Sequence, residues 1–396
     1  MRIVIAAASL LVASCAPTHR SAAGRVARDP APPGRLVDVG GYRLHIHCTG
    51  RGAPAVVLLA GSGDFSFDWS LVQPGLARST RVCSYDRAGS AWSDPGPTPR
   101  TMRQEAHELR LLLQRAGVAP PYLLVGHSYG GLLARAYAGA HPAEVAGVVL
   151  VDPTHEDTRL MIQGRLTRVR EGAGSRPVPR VQTMASSPPR PPGEEELAQE
   201  RMNREAFGPP AISPPYDRLP REAQALRLWA LGRPPRAAAA DDFWAEELRE
   251  MHDARRADPH PLGAMPLVVL AAGRAEPAPQ GVTEEAWREL TQEKRAQRAD
   301  LATLSTEGRL VVDTASGHHV HLDDPARVIE AVTGLLSRLR IPNPAESRKR
   351  TRQFPLHTVA GTHRSRRAPR GEGTKTSPAR RAPSPGRMLA IPRRPR

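Results

Sequence analysis

Past residue 35, apolar and polar positions settle into a rhythm of short strands and longer helices. Residues 36–39 and 42–47 alternate across Gly40-Gly41, the pattern of two antiparallel strands joined by a tight turn. Residues 55–59, Ala-Val-Val-Leu-Leu, are apolar without a break, which suits a strand buried on both faces. Residues 81–85 predict a further strand. Over 101–116 the period becomes helical: Met102, Leu109, Leu112 and Leu113 share a side, with Arg103, Glu105 and Arg110 elsewhere. A strand at 121–125, a helix at 130–140 closed by His141-Pro142, and a strand at 145–151 follow. Strand and helix in alternation imply right-handed parallel crossovers and a sheet covered on both faces.

The rhythm stops between Pro153 and Gly263. Pro-rich connectors there separate three helical patches, at 194–207, 221–231 and 241–256. Strands return at 266–270 and 310–313, with helices at 284–305 and 325–338. The expected architecture is therefore α/β: a doubly wound, mostly parallel eight-stranded sheet interrupted by one insertion. The core is expected at 36–153 and 264–342. The segment 154–263 reads as a helical, Pro-rich lid over the strand ends.

Charge changes this picture only at the end of the chain. Of the net +16 over 396 residues, the stretch after Pro342 holds fifteen Lys or Arg against Glu346 and Glu372. That tail carries +13, which leaves the rest near neutral at +3. A whole-protein polyanion surface is excluded, and the few aromatics argue against stacking on nucleic acid. Residues 343–396 are basic and Pro-rich without an amphipathic period, so they are expected to be disordered; weak contact with anionic surfaces and an inert extension both explain them, and the missing period favours the inert one.

The start reads as a targeting segment. Arg2 precedes an apolar run at 3–12, too short to span a bilayer, and then Val12-Ala13-Ser14-Cys15. Small residues before a cysteine resemble the bacterial lipobox, which implies a signal peptide over 1–15, lipidation at Cys15 and a flexible tether over 16–35. The alternative is an ordinary secretory signal. Both readings export the protein, to a membrane lipoprotein or a secreted form, and export would allow Cys48 and Cys83 to oxidise. These two fall on neighbouring expected strands; a disulfide and two buried thiols both explain them.

Chemistry enters at Val125-Gly126-His127-Ser128-Tyr129-Gly130-Gly131. Gly-X-Ser-X-Gly between a predicted strand and a predicted helix is a turn too tight for side chains, and it lifts the serine oxygen above the sheet. The next residue, Tyr129, starts the helix with its N–H free for an oxyanion. The chain resembles the α/β-hydrolase family from about residue 36 to 340. Ala60-Gly61-Ser62-Gly63 occupies the family's oxyanion loop, where Ser62 or Gly63 would supply the second N–H. Asp86-Arg87-Ala88-Gly89-Ser90-Ala91-Trp92-Ser93 resembles the family's D-x-R-G-x-G-x-S segment with two departures, and is expected to shape the floor of the site.

A serine hydroxyl needs a base. The family's pattern puts that base directly after a glycine, so Ser316-Gly317-His318-His319-Val320-His321 points to His318, with His319 and His321 as rivals. The same histidines with Asp323 also admit a metal reading, which their crowding and the lack of a matching cluster disfavour. The acid has two candidates. Glu276 lies after the seventh strand, where most of the family carries an Asp. Asp152 ends the sixth, as in dehalogenase-like relatives, and the segment Asp152-Pro153-Thr154-His155-Glu156-Asp157 resembles an exported branch of the family. Asp152 is preferred because Asp is shorter and costs less entropy to order.

The resemblance implies a serine hydrolase of small-molecule esters or lactones. An aminopeptidase or amidase of the proline-iminopeptidase kind, with the same triad, is the first alternative, and an inactive binding protein the second. A serine at the turn argues against dehalogenation and epoxide opening. No dinucleotide, phosphate-loop or zinc motif calls for a cofactor.

Overall fold

The computed structural model describes residues 29–339 apart from 163–164, 173–177, 179, 183–193, 195–197, 199–208, 234–244 and 279–281. The leader, Cys15, the tail at 343–396 and most of the expected helix at 194–207 lie outside the described residues. No helix among the described residues is long and apolar enough to cross a membrane.

Among the described residues ten strands are formed: β1 (Arg35–Asp38), β2 (Arg43–Thr49), β3 (Ala55–Leu59), β4 (Val82–Tyr85), β5 (Tyr122–His127), β6 (Val145–Val151), β7 (Arg159–Ile162), β8 (Arg165–Arg168), β9 (Leu267–Ala272) and β10 (Gly308–Asp313). Eight of them make one sheet in the order β1-β2-β4-β3-β5-β6-β9-β10. β1 pairs β2 and β2 pairs β4 antiparallel, while the remaining pairings are parallel. The doubly wound, mostly parallel sheet read from the sequence is thus the fold of the chain.

Continuous apolar runs become intelligible once faces are assigned, because successive side chains leave a strand on opposite sides. Val57, Leu59, Leu124, Val148, Leu150 and Val269 join one core. It is roofed by the helices α1 (Met102–Arg115) and α2 (Tyr129–Ala140), through residues such as Leu109 and Leu133. Val56, Leu58, Leu123, Val125, Val149 and Leu270 point the other way, into a second core with Trp69 and the helix at Pro325–Arg338. Each fully buried aliphatic side chain contributes roughly 2 kcal/mol. Cys48 faces Cys83 across the β2–β4 register, and the two are joined as a disulfide.

The insertion departs from the all-helical expectation. It does contain helices, here α3 (Arg221–Leu231) and α4 (Ala245–Ala257). Ahead of them, however, β7 and β8 form a separate antiparallel hairpin. Two four-residue runs are too short for a period to declare itself. Leu160 of β7 packs with Met102, Tyr129, Leu132, Val169 and Leu248, so the hairpin is seated against the starts of α1 and α2. Glu247 of α4 accepts from the Met102 and Arg103 backbone N–H groups at 2.8 and 3.0 Å, and Thr101 caps the same helix end.

The tether assigned to 16–35 also ends sooner than expected. Trp92 Nε1 donates to the Pro30 carbonyl at 2.7 Å, Arg233 pairs with Asp29 at 2.8 Å, and Arg35 already opens β1. Proline and alanine at 30–33 hid this anchoring from composition. The helix expected at 284–305 stops at Ala302, giving α5 (Glu284–Ala302), whose Thr283 cap satisfies the Ala286 N–H.

Candidate active site

Ser128 stands between β5 and α2 with φ 50 and ψ −119. That left-handed backbone costs a non-glycine residue about 1–3 kcal/mol, so its surroundings must hold it there. They do so by excluding side chains. A Cβ on Gly126 would lie 2.2 Å from the Gly130 carbonyl oxygen, and one on Gly130 would lie 2.3 Å from that of Leu59. Ser128 N–H donates to Val151 O at 3.1 Å, and the Ser128 carbonyl accepts from Gly131 and Thr154 N–H at 2.9 and 3.1 Å. The turn is therefore pinned on both sides.

Asp152, at the end of β6, is also left-handed (φ 39) and fully buried. Aspartate tolerates this region better than most residues. Its Oδ2 lies 2.7 Å from His318 Nδ1 and accepts from Arg298 Nη2 of α5 at 2.6 Å; its Oδ1 accepts from Ala272 N–H at 2.8 Å. Burial alone would push this carboxyl's pKa up. The hydrogen bond and charge of His318, with Arg298 and the Ala272 N–H, overcome that and leave it below the ordinary value.

His318 follows β10, and its own carbonyl accepts from His127 Nε2 at 3.0 Å. Ser128, His318 and Ser62 line one cavity of about 340 Å³. Among the described residues the Ser128 hydroxyl has one hydrogen-bond contact, Thr154 Oγ1 at 3.4 Å. His318 faces the same cavity with Nδ1 committed to Asp152, an open arrangement common in unliganded sites. Glu276 is exposed, and among the described residues it makes no hydrogen bond or ion pair with His318, so of the two acids only Asp152 is bonded to the histidine.

The rival histidines lie elsewhere. His319 Nε2 is 2.8 Å from the Tyr216 hydroxyl, and burial, with His127 and His318 nearby, lowers its pKa to about 3. His321 is buried against Trp69, and that burial drives its pKa well down. Asp323 Oδ2 binds Arg274 and the Gly317 N–H. The three histidines stay together, their rings packed on His127 at 4.8, 5.2 and 4.4 Å, while Asp323 is held apart by these bonds. A different trio, Asp64, His127 and His321, does converge with its donor atoms within 4.8 Å. Asp64 already accepts from the Tyr216 hydroxyl at 2.6 Å and lies 3.4 Å from the Arg227 guanidinium, so its charge is balanced by the protein.

Tyr129 is the first residue of α2, and backbone N–H groups at a helix N-terminus point out of the helix. Its ring is held by Glu105 at 3.1 Å and by the Arg87 guanidinium, 5.3 Å from the centroid. Arg87 donates to the carbonyls of Ala60 and Gly61, both at 2.7 Å, and so braces the loop that carries Ser62 and Gly63 (φ 70). The segment around Arg87 thus supports the site without entering it. Thr154, Arg298 and Lys294 were missed from the sequence. Thr154 stood in a quoted segment without a distinguishing signal. The two α5 residues lie more than 140 positions from Asp152, and nothing local announces them.

The model of the alpha/beta hydrolase family matches residues 56–331, well over half of the chain. The chain belongs to that family. Among curated relatives, it is 35% identical over 111 residues to the uncharacterised YqjL of Bacillus subtilis (strain 168), covering 28% of this chain and 44% of that protein. It is also 35% identical over 131 residues to a probable transporter, efuK, of Hormonema carpetanum, covering 31% and 19%. The chain thus spans less than half the length of these relatives. Among solved structures, a thermophilic esterase from Thermogutta terrifontis superposes with a TM-score of 0.52 at 21% identity, over 77% of this chain and 99% of that one. The enol-lactonase from Burkholderia xenovorans LB400 gives 0.50 at 18%, over 76% and 100%.

Proposed function

We propose that this hydrolase-family protein is a serine hydrolase that cleaves small-molecule esters or lactones through an acyl-enzyme on Ser128. The observation that carries this reading is His318 Nδ1 bonded to the buried Asp152 beside a serine held in a strained turn. With Nδ1–H donating to the carboxylate, Nε2 keeps its lone pair for the serine proton. The Ser128 oxygen attacks the carbonyl carbon as that proton passes to Nε2. The developing oxyanion takes N–H donors from Tyr129 and from Ser62 or Gly63, each worth about 3–4 kcal/mol in the transition state. Collapse breaks the ester C–O bond, and the leaving oxygen recovers the proton from His318. Water then attacks the acyl-enzyme by the same steps in reverse roles, releasing the acid and free Ser128.

The amidase alternative needs an acidic recess for a substrate amine. Among the described residues that line it, the cavity instead gathers Arg159, Lys294 and Arg298 with one carboxylate, Asp152, which favours the ester reading. Parallel assays of p-nitrophenyl esters of increasing chain length and of aminoacyl arylamides test it. The expected result is turnover of short esters; turnover of arylamides alone would replace the reading with the amidase one. In this account the insertion serves as the lid.

Export and lipidation at Cys15 form part of the proposal, supported by the Cys48–Cys83 disulfide, which suits an oxidising compartment. Cell fractionation should recover the protein with membranes and find Cys15→Ser released; a wild-type protein in the soluble cytosolic fraction would contradict it.

A further inference from the structure

The cavity at Ser128 is walled on one side by α5, which presents Lys294, Gln297 and Arg298 at the i, i+3 and i+4 spacing of a single helix face. Two cations on this wall are already spent. Arg298 is paired with Asp152, and Arg159 of β7 with Glu293. Gln297 donates to the Asp157 carbonyl at 3.1 Å, and His155, also on the cavity, is 3.1 Å from Asp300.

Lys294 differs from all of these. Among the described residues its ammonium closes no hydrogen bond or ion pair; what it meets is the ring of Trp287, 5.5 Å from the centroid. It is half-buried and reaches a second, smaller recess between Glu276 and His318 as well. The nearby carboxylate of Asp152 is committed to His318 and Arg298, and Glu276 is not within ion-pair distance. Burial and the neighbouring Arg298 push the lysine's pKa down, and the more distant charges of Asp152 and Glu276 do not offset them. The ammonium of a partly desolvated lysine that lines a reaction cavity is stabilised by an anion that comes within its reach there.

We propose that Lys294 is a specificity residue that binds a carboxylate on the substrate, so that the preferred substrates are small esters or lactones bearing a free carboxylate. The proposal rests on the serine-hydrolase reading above. The carboxylate would sit against α5 while the ester carbonyl lies over Ser128, and the lysine takes no part in bond making. A charge-assisted contact of this kind corresponds to about 10- to 100-fold in kcat/KM.

The test compares monomethyl adipate with methyl hexanoate, matched in chain length, by pH-stat on the full-length protein. Wild type should favour the anionic ester at least about tenfold. Lys294→Met should lower that ratio by about 10- to 100-fold, and Lys294→Arg should keep most of it. A wild-type ratio near one, or a ratio unmoved in Lys294→Met, would overturn the proposal; the first of these holds even if the variant does not fold. Protein that reacts with a fluorophosphonate but hydrolyses neither ester would also overturn it while sparing the serine-hydrolase reading. Failure to react would remove that reading and the proposal together.

Discussion

Ser128→Ala should lower ester turnover by about a million-fold, to the residue left by binding and the oxyanion donors. The size of the effect follows from what the hydroxyl does: without it no covalent acyl intermediate forms, and His318 has no proton to take. The fold should survive, because the strained turn is held by Gly126, Gly130 and backbone hydrogen bonds, none of which uses the side chain. Alanine carries the same φ 50 strain that Ser128 already bears, so stability should stay within about 1 kcal/mol of wild type. Circular dichroism with steady-state kinetics separates the two effects. Retention of more than a few per cent of wild-type turnover would place the nucleophile elsewhere.

The second large effect separates the two carboxylates. Asp152→Asn should cost about 10⁴-fold in kcat, because an amide cannot hold His318 in the tautomer that leaves Nε2 free. It also strips Arg298 of its counter-charge, for a stability loss of about 3 kcal/mol. Glu276→Gln should stay within about twofold of wild type, since Glu276 is exposed and the hydrogen bond to His318 comes from Asp152. Kinetics of the two variants side by side decide the point. Loss in Glu276→Gln with retention in Asp152→Asn would reverse the assignment.

Much of this was legible along the chain, and the reasons are local. The runs at β3, β5 and β6 announced buried strands because they are apolar almost throughout. The Gly-X-Ser-X-Gly turn announced itself because only glycine fits where a Cβ would meet backbone at 2.2–2.3 Å. The acid was not decided by pattern, since Asp152 and Glu276 both follow strands that end at one edge of the sheet. Packing decided it, through Arg298 and the Ala272 N–H, which together make a buried carboxylate tenable at Asp152. The β7–β8 hairpin escaped because four-residue strands show too little period, and the ordered stretch at 29–34 escaped because its partners, Trp92 and Arg233, are distant in sequence. Lys294 escaped for the complementary reason: a lysine on a polar helix resembles any solvated charge until the cavity beside it is seen.

The central claim, a nucleophilic Ser128, is tested most directly by treating the folded protein with a fluorophosphonate and mapping the adduct by peptide mass spectrometry. The account predicts a single adduct on the peptide containing Ser128, and none in Ser128→Ala. An adduct on another serine, or none on the folded wild-type protein, would contradict it.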